Sequence, residues 1–323
     1  MSSRFNMEKY DFAIIGAGGS GLAAAMYAAR LGLKTVLFSF SDGFGLSLGG
    51  MITTAHSVSN YPGFNEISGL ELSKKLTEHT KSYKNVVIKS EKVEEIKKNK
   101  SIFLIKTKKE AYESKAVLFS TGRKIKKLDV KGAREFDFRG IGYCALCDAP
   151  LYKDKIVSVV GGSDKAAVEA LILSEYAKKV YIIYRGEKLR AELANTEMIK
   201  KSKKIEIINN TNIIEVKGNE RGVNGIVLDK SYKGKKDLIV DGVYVAIGNI
   251  PSVELAKSLN VKLNKQDEII INHMTSETNV QGVYAAGDVT DKPFKQLIIG
   301  VAEGVTAAYS AYEYITKENL EGY

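Results

Sequence analysis

Cys144 and Cys147 are the only cysteines in 323 residues, spaced C-x-x-C, with Asp148 directly after the second. Thiols at this spacing can close a small disulfide ring, and their proximity can lower the pKa of one of them. The thiolate is the reactive form of cysteine, and an adjacent carboxyl can carry the proton when a thiolate leaves. The pattern therefore points to dithiol–disulfide exchange. Half of a zinc site is another reading, but zinc takes about four nitrogen or sulfur ligands, and the chain adds only His56, His79 and His273, which have no motif spacing. Each of these histidines reads as a surface or packing residue. Two buried, inert cysteines are the plainest alternative, and the surrounding chain argues against it.

The composition is that of an ordinary folded protein: 44% hydrophobic residues, 29 glycines and 4 prolines. The length suffices for two domains with separate cores. No run approaches the roughly 20 apolar residues of a membrane span, and no secretory leader follows Met1. Two cysteines form no disulfide framework, so a reducing, cytoplasmic setting is expected. The net charge of +10 favours acidic partners. The lysines are dispersed, as in Lys97-Lys98-Asn99-Lys100, and do not alternate with aromatics as a nucleic-acid groove would. Neither a membrane nor a nucleic acid is an expected partner.

Two glycine turns frame the dithiol. Tyr10 to Ile15 is an apolar run that enters Gly16-Ala17-Gly18-Gly19-Ser20-Gly21 and leaves as an Ala-rich helical stretch, Leu22 to Leu31; a second apolar run, Lys34 to Phe38, follows. This is strand, turn, helix, strand, with G-x-G-x-x-G at Gly16, Gly18 and Gly21. The first glycine permits the tight turn, the second lets a pyrophosphate approach, and the third lets helix pack on strand. Unpaired N–H groups at the helix start then favour phosphate. The acidic residue usual at the end of the second strand is missing, since Phe38-Ser39-Phe40 stands there. The pattern recurs as Lys155 to Val160, Gly161-Gly162-Ser163-Asp164, a helical stretch over Ala167 to Tyr176 and an apolar run over Lys179 to Tyr184. Two dinucleotide-type units flanking a C-x-x-C argue for electron transfer between nucleotides and on to a dithiol. Elsewhere, short strands fall between Asn85 and Ile105 around a lysine-rich turn at Lys97 to Lys100, and Ala116 to Phe119 ends in Ser120-Thr121-Gly122. A strand meander spans Ile205 to Leu228, strands end at Gly248 and at Gly287-Asp288, and a closing helix spans Leu297 to Lys317.

With these motifs in this order, the sequence resembles the low-molecular-weight thioredoxin reductases over nearly its whole length. The stretches that carry the likeness are Gly16 to Gly21, Gly49 to Thr54, Asn60 to Gly63, Ser120 to Gly122, Tyr143 to Asp148 and Ala285 to Val289. The resemblance implies an α/β protein of two Rossmann-like three-layer nucleotide-binding domains, the second inserted in the first. The FAD domain would comprise residues 1–121 and 246–323, and the NAD(P)H domain, carrying the dithiol, residues 122–245. It implies that Gly16, Gly18, Gly19 and Gly21 bind the FAD pyrophosphate and that Asp288 holds the ribityl chain. Gly50, Met51, Thr54, Asn60, Thr121, Gly122, Lys295, Gln296 and Leu297 would complete the FAD site. Cys147 would face the flavin, Cys144 would attack the substrate disulfide, and Asp148 would transfer the proton. A homodimer and a rotation between the domains also follow from the resemblance, as does a thioredoxin-like partner.

The departures fall mainly at the second nucleotide site, assigned to Gly161, Gly162, Ser163, Asp164, Arg185 and Arg190. The family's turn is G-x-G-x-x-A, and its middle glycine is Ser163 here. Its His-Arg-Arg reads Tyr184-Arg185-Gly186, so two of three phosphate-binding arginines remain. Met51 also replaces the glutamine of the family's Gly-Gly-Gln. The leading expectation is an enzyme passing electrons from NADPH through FAD and Cys144–Cys147 to a thioredoxin-like disulfide. NADH or ferredoxin as donor, or a dithiol oxidase using oxygen, are the alternatives, and a flavin-binding redox sensor without turnover is a third reading. No His-x-x-x-x-Glu dyad supports the larger glutathione-reductase type.

Overall fold

A computed structural model describes residues 7–40, 47–55 and 58–321, excluding the side chains of Cys147 and 318–321. His56 lies outside the described residues. The chain forms two compact units, Met1–Lys124 with Pro251–Tyr323, and Ile125–Ile250.

The first unit begins with β1 (Glu8–Ile15), α1 (Gly19–Arg30), β2 (Thr35–Phe38), α2 (Gly69–Lys81), β3 (Val86–Lys89), β4 (Val93–Asn99), β5 (Ile102–Thr107) and β6 (Ala111–Phe119). The sheet order is β3-β2-β1-β6-β5-β4. β3, β2, β1 and β6 run parallel, whereas β4 and β5 return antiparallel. β1 is buried on both faces, as a central parallel strand must be. Phe12 and Ile14 join a cluster with α1 alanines, while Ala13 and Ile15 join one with Phe103 and Ile105 of β5. In register, Ile15 of β1 stands beside Phe38 and Phe119, so the Gly16 turn leaves the sheet at the carboxyl ends of three adjacent strands. This is where open α/β sheets place ligands. The helix α1 starts three residues earlier than Leu22, with Gly19, Ser20 and Gly21 forming its first turn. Lys97 and Lys98 belong to β4, and the tight turn is carried instead by Lys100, with φ of 55°.

The chain then crosses through β7 (Arg123–Ile125). The second unit contains β8 (Ile141–Gly142), α3 (Ala145–Asp148), β9 (Ile156–Val160), α4 (Asp164–Tyr176), β10 (Lys179–Ile183), α5 (Leu193–Lys201), β11 (Ile205–Ile208), β12 (Ile213–Asn219), β13 (Gly222–Tyr232), β14 (Lys235–Leu238) and β15 (Gly242–Val245). Its main sheet is parallel, in the order β11-β10-β9-β15-β8, and β12-β13-β14 forms a separate three-stranded antiparallel sheet. Ala166, Ala167, Ala170 and Leu173 of α4 pack on Val157 and Val159 of β9. Each unit thus repeats the strand–turn–helix arrangement with small residues on the packed helix face.

The return strand β16 (Asn249–Pro251) pairs with β7. Back in the first unit, α6 (Glu254–Ser258) precedes β17 (Val283–Ala285), which adds to β6 in parallel, and α7 (Leu297–Glu321) closes the chain. α7 lies against α1, and the contact is made of small residues: Ala24, Ala25 and Ala28 share a cluster with Ala307, Ala308 and Ala311. Gly304 is required there, since a Cβ on it would sit 2.2 Å from the Ser20 carbonyl oxygen.

Candidate active site

In the first unit, Gly16 turns the chain with φ of 109°, and a Cβ on it would lie 2.3 Å from the Ser120 carbonyl oxygen. Ser120 holds this turn by donating its hydroxyl to the Gly16 carbonyl at 2.7 Å. A Cβ on Gly21 would lie 1.9 Å from the Gly16 oxygen, so helix and strand meet here at a distance only glycine allows. Gly18 differs. It is the N-cap of α1, makes no side-chain cap, and a Cβ on it would meet nothing nearer than the Gly49 oxygen at 3.9 Å. Space is therefore open in front of the start of α1, with no acidic residue in its first turn. That combination suits an anionic pyrophosphate.

Other expected residues gather around this opening. Gly18 bridges to Gly49, whose N–H donates to the Ala17 carbonyl at 2.7 Å. Gly50, at φ 67°, starts the short 3-10 turn Met51–Thr54, and the Thr54 hydroxyl donates to the Met51 carbonyl at 2.8 Å. Leu297, first residue of α7, lies against Gly19, where a Cβ would be 2.3 Å from its Cδ1. Asn60 donates its side-chain amide to Gln296 Oε1 at 3.0 Å, joining side chains far apart in sequence. Asp288, Lys295 and Gln296 line one small cleft with Gly287, Gly300 and Glu303. Lys295 pairs with Glu268 at 3.2 Å. Thr121 donates to the Ser252 carbonyl at 2.6 Å, and Gly122, at φ 61°, accepts from the Ser252 N–H at 3.0 Å.

In the second unit, Cys144 is disulfide-bonded and half-buried. The only other cysteine of the sequence, Cys147, is carried by the single turn of α3. Glu169 of α4 accepts the N–H of Ala145, the residue after Cys144. Burial pushes the Glu169 carboxyl up, and the Ala145 N–H works against that rise. Asp148 is half-buried, with Oδ2 3.3 Å from the position of a Cβ on Gly142. Burial holds its carboxyl above the ordinary range. A carboxyl whose pKa is raised by burial is protonated more of the time near neutral pH than an ordinary one, which suits it to supply a proton to a departing thiolate nearby. Glu169 is absent from the sequence reading; nothing local marks it, because its contact runs from α4 to the dithiol turn.

The second glycine turn is more closed than the first. Gly161, at φ 144°, meets the Ala246 carbonyl, and the Tyr184 ring stands over Gly162, where a Cβ would be 2.3 Å from Cδ2. The same ring lies 2.7 Å from the position of a Cβ on Gly186. Arg190 donates its N–H to the Gly162 carbonyl at 2.7 Å and bridges to Ser163, the N-cap of α4. Asp164 accepts from the Glu192 N–H and the Asn195 side chain, both at 2.9 Å. The side chains of Arg185 and Arg190 are exposed. The sequence shows the loss of an arginine at 186; the structure shows the outer end of the Tyr184 ring standing where a side chain there would begin.

Two dinucleotide-type glycine turns, each at the carboxyl ends of parallel strands, together with a C-x-x-C disulfide, are the features of an oxidoreductase with two nucleotide sites. The chain belongs to the pyridine nucleotide-disulphide oxidoreductase family, whose profile matches residues 10–311. It is 34% identical over 316 residues to a thioredoxin reductase of Listeria monocytogenes, covering 97% of this chain and 96% of the relative. Among solved structures it is similar to Lactococcus lactis thioredoxin reductase in its FR conformation, with a TM-score of 0.85 at 32% identity, covering 95% of this chain and 99% of that one. Thioredoxin reductase of T. acidophilum matches with a TM-score of 0.82 at 37% identity, covering 95% and 98%. The two-domain α/β fold expected from the sequence agrees with these structures.

Proposed function

We propose that this protein is a flavin-dependent thioredoxin reductase, taking electrons from a pyridine nucleotide and delivering them to the disulfide of a thioredoxin-like protein. The observation that carries the reading is the disulfide-bonded Cys144 close in sequence to a half-buried Asp148 whose carboxyl is pushed up by burial. Residues 1–121 and 246–323 form the FAD domain, and 122–245 the nucleotide domain. The first glycine turn fits FAD: Gly18 leaves open space before an uncapped helix start, while Gly16 and Gly21 close the turn behind it. Gly16, Gly18, Gly19 and Gly21 would hold its phosphates, and Asp288 its ribityl chain. Gly50, Met51, Thr54, Asn60, Thr121, Gly122, Lys295, Gln296 and Leu297 would enclose the rest. Bound FAD supplies a carrier that takes a hydride from a nicotinamide and gives an electron pair to a disulfide.

The chain's own residues then perform the exchange. Reduction of the Cys144–Cys147 disulfide adds two electrons and two protons and gives two thiols. Cys144 as thiolate attacks the substrate disulfide, forming a mixed disulfide and releasing a substrate thiolate. Asp148 supplies the proton to the thiolate that leaves. Cys147 then attacks Cys144, restoring the internal disulfide and freeing the second substrate thiol.

The donor site, comprising Gly161, Gly162, Ser163, Asp164, Arg185 and Arg190, supports NADPH with reduced preference over NADH. Arg185 and Arg190 would pair with a 2′-phosphate, and Gly186, with the Tyr184 ring over it, supplies no third arginine. We place the enzyme in the cytoplasm as a homodimer. The test is steady-state reduction of a thioredoxin-like disulfide, with NADPH, NADH and reduced ferredoxin as separate donors. Turnover with either nicotinamide supports the reading, and turnover with ferredoxin alone moves the donor assignment.

A further inference from the structure

Glu303 stands out in a helix that is otherwise small or apolar where it faces the first unit's core. It occupies the second turn of α7, one residue before Gly304, and is only 7% exposed. A buried carboxyl is costly unless its oxygens are satisfied. Oε2 accepts the Gly287 N–H at 2.8 Å and the Thr290 hydroxyl at 3.3 Å. Oε1 finds no hydrogen-bond partner among the described residues. Burial pushes the carboxyl up, the Gly287 N–H opposes this, and Lys292 and His273 act on it only at a distance. Packing alone does not account for a half-satisfied acid in this position, since an apolar residue of similar volume would avoid the cost.

What Glu303 holds is the turn that presents Asp288. Gly287 has φ of 81° and immediately precedes Asp288, whose side chain is exposed. Thr290 closes the turn by donating its N–H to the Gly287 carbonyl at 2.9 Å, and its one hydroxyl hydrogen is shared between that carbonyl, at 2.9 Å, and Glu303 Oε2, at 3.3 Å. On its other side Gly287 abuts α1: a Cβ there would lie 2.4 Å from Ser20 Oγ, next to Gly19 and Gly21 of the phosphate turn. Gly300, one helical turn before Glu303, closes on the same Ser20 hydroxyl, with a Cβ position 2.5 Å away. The Gly287–Asp288 turn is therefore held between the first turn of α1 and a carboxyl of α7, with Arg123 Nε donating to the Asp288 carbonyl at 2.9 Å from a third side. The cleft that contains Asp288, Lys295 and Gln296 is also lined by Glu303.

We propose that Glu303 is a positioning residue of the flavin site, fixing Asp288 through the Gly287 N–H and the Thr290 hydroxyl so that Asp288 meets the polyol of the bound dinucleotide in a preset geometry. The inference rests on the reading of this cleft as the FAD site. A carboxylate suits the task because its charge-assisted acceptor is stronger than a neutral one. Acting from a helix, it also transmits the position of α7 to the turn with little slack.

The test is FAD binding to the apoprotein, followed by flavin fluorescence, in a double-mutant cycle with Asp288→Ala. Glu303→Leu should raise the FAD dissociation constant by about tenfold to a hundredfold, the range for losing a hydrogen bond to a charged group. In the Asp288→Ala background the same change should cost less than about threefold, because the group it positions is gone. Glu303→Gln keeps a neutral acceptor for Gly287 and should fall between wild type and Glu303→Leu, weakening FAD by about threefold to tenfold. ADP, which lacks the ribityl chain, should bind all variants alike. If Glu303→Leu does not fold, Thr290→Val carries the cycle, with weaker FAD binding that depends on Asp288. Losses that multiply independently in the cycle, or a Glu303→Leu protein with wild-type FAD affinity, would overturn the proposal. A wild-type protein that binds no FAD would instead refute the flavin reading itself.

Discussion

Gly18 and Gly21 belong to one motif yet should respond oppositely to the same substitution. At Gly18 the backbone is extended, φ −71° and ψ −178°, which alanine adopts freely, and the added methyl meets nothing closer than 3.9 Å. Gly18→Ala should therefore leave the apoprotein as stable as wild type or more stable by about 0.4–1 kcal/mol, through a less flexible unfolded chain. Its penalty should fall on the ligand. A methyl in the space open to a pyrophosphate should weaken FAD by about tenfold to a hundredfold, as charge-assisted contacts to backbone N–H groups lengthen. At Gly21 the methyl would lie 1.9 Å from the Gly16 carbonyl, a backbone atom that cannot swing aside. The gain in helix propensity, about 1 kcal/mol, is outweighed by overpacking of about 1–3 kcal/mol or more. Gly21→Ala should lower apoprotein stability and FAD affinity together. Denaturant unfolding of both apoproteins and fluorescence titration with FAD decide the matter. A Gly18→Ala protein that binds FAD normally, or a Gly21→Ala protein with wild-type stability, would refute the assignment of ligand space to one glycine and packing to the other.

Asp148→Asn should slow disulfide turnover by about 100-fold and flatten the loss of rate on the alkaline side, since the wild-type acid works only while protonated. Because the folded pKa of Asp148 is raised by burial, its stabilising contribution is full below the ordinary value of 3.8 and is lost as pH rises through the folded pKa. The same variant should consequently raise the melting temperature at neutral pH, as calorimetry can show. Gly186→Arg alone should not improve NADPH affinity, because the Tyr184 ring occupies the space its side chain needs. Combined with Tyr184→Ala it should gain about tenfold for NADPH over NADH, measured by initial rates with each donor.

The features legible in the sequence were those whose physics is local. Gly16 and Gly161 announce positive φ, Gly21 announces close helix–strand approach, and the apolar runs before them announce buried parallel strands. A C-x-x-C followed by an acid is likewise compact. Helix starts were shifted: α4 begins at Asp164 and not Ala167, because Ser163 and Asp164 look like turn residues but serve as cap and first turn. The closing helix continues past Lys317 to Glu321. The long-range partners were not legible. Glu169 reaches the dithiol turn and Glu303 reaches Gly287 through contacts across the fold, and neither sits in a motif. The sole hint at Glu303 was an acid set among glycine, alanine and valine in a buried helix. At the second glycine turn, the sequence disclosed the missing arginine but not the tyrosine ring that stands over its position.

The central claim is that electrons reach a protein disulfide through the Cys144–Cys147 pair, and anaerobic stopped-flow on the FAD-loaded wild-type and Cys144→Ser proteins tests it most directly. A nicotinamide donor should bleach the flavin in both proteins, while only the wild type should go on to reduce a thioredoxin-like disulfide. Normal thioredoxin reduction by Cys144→Ser would contradict it.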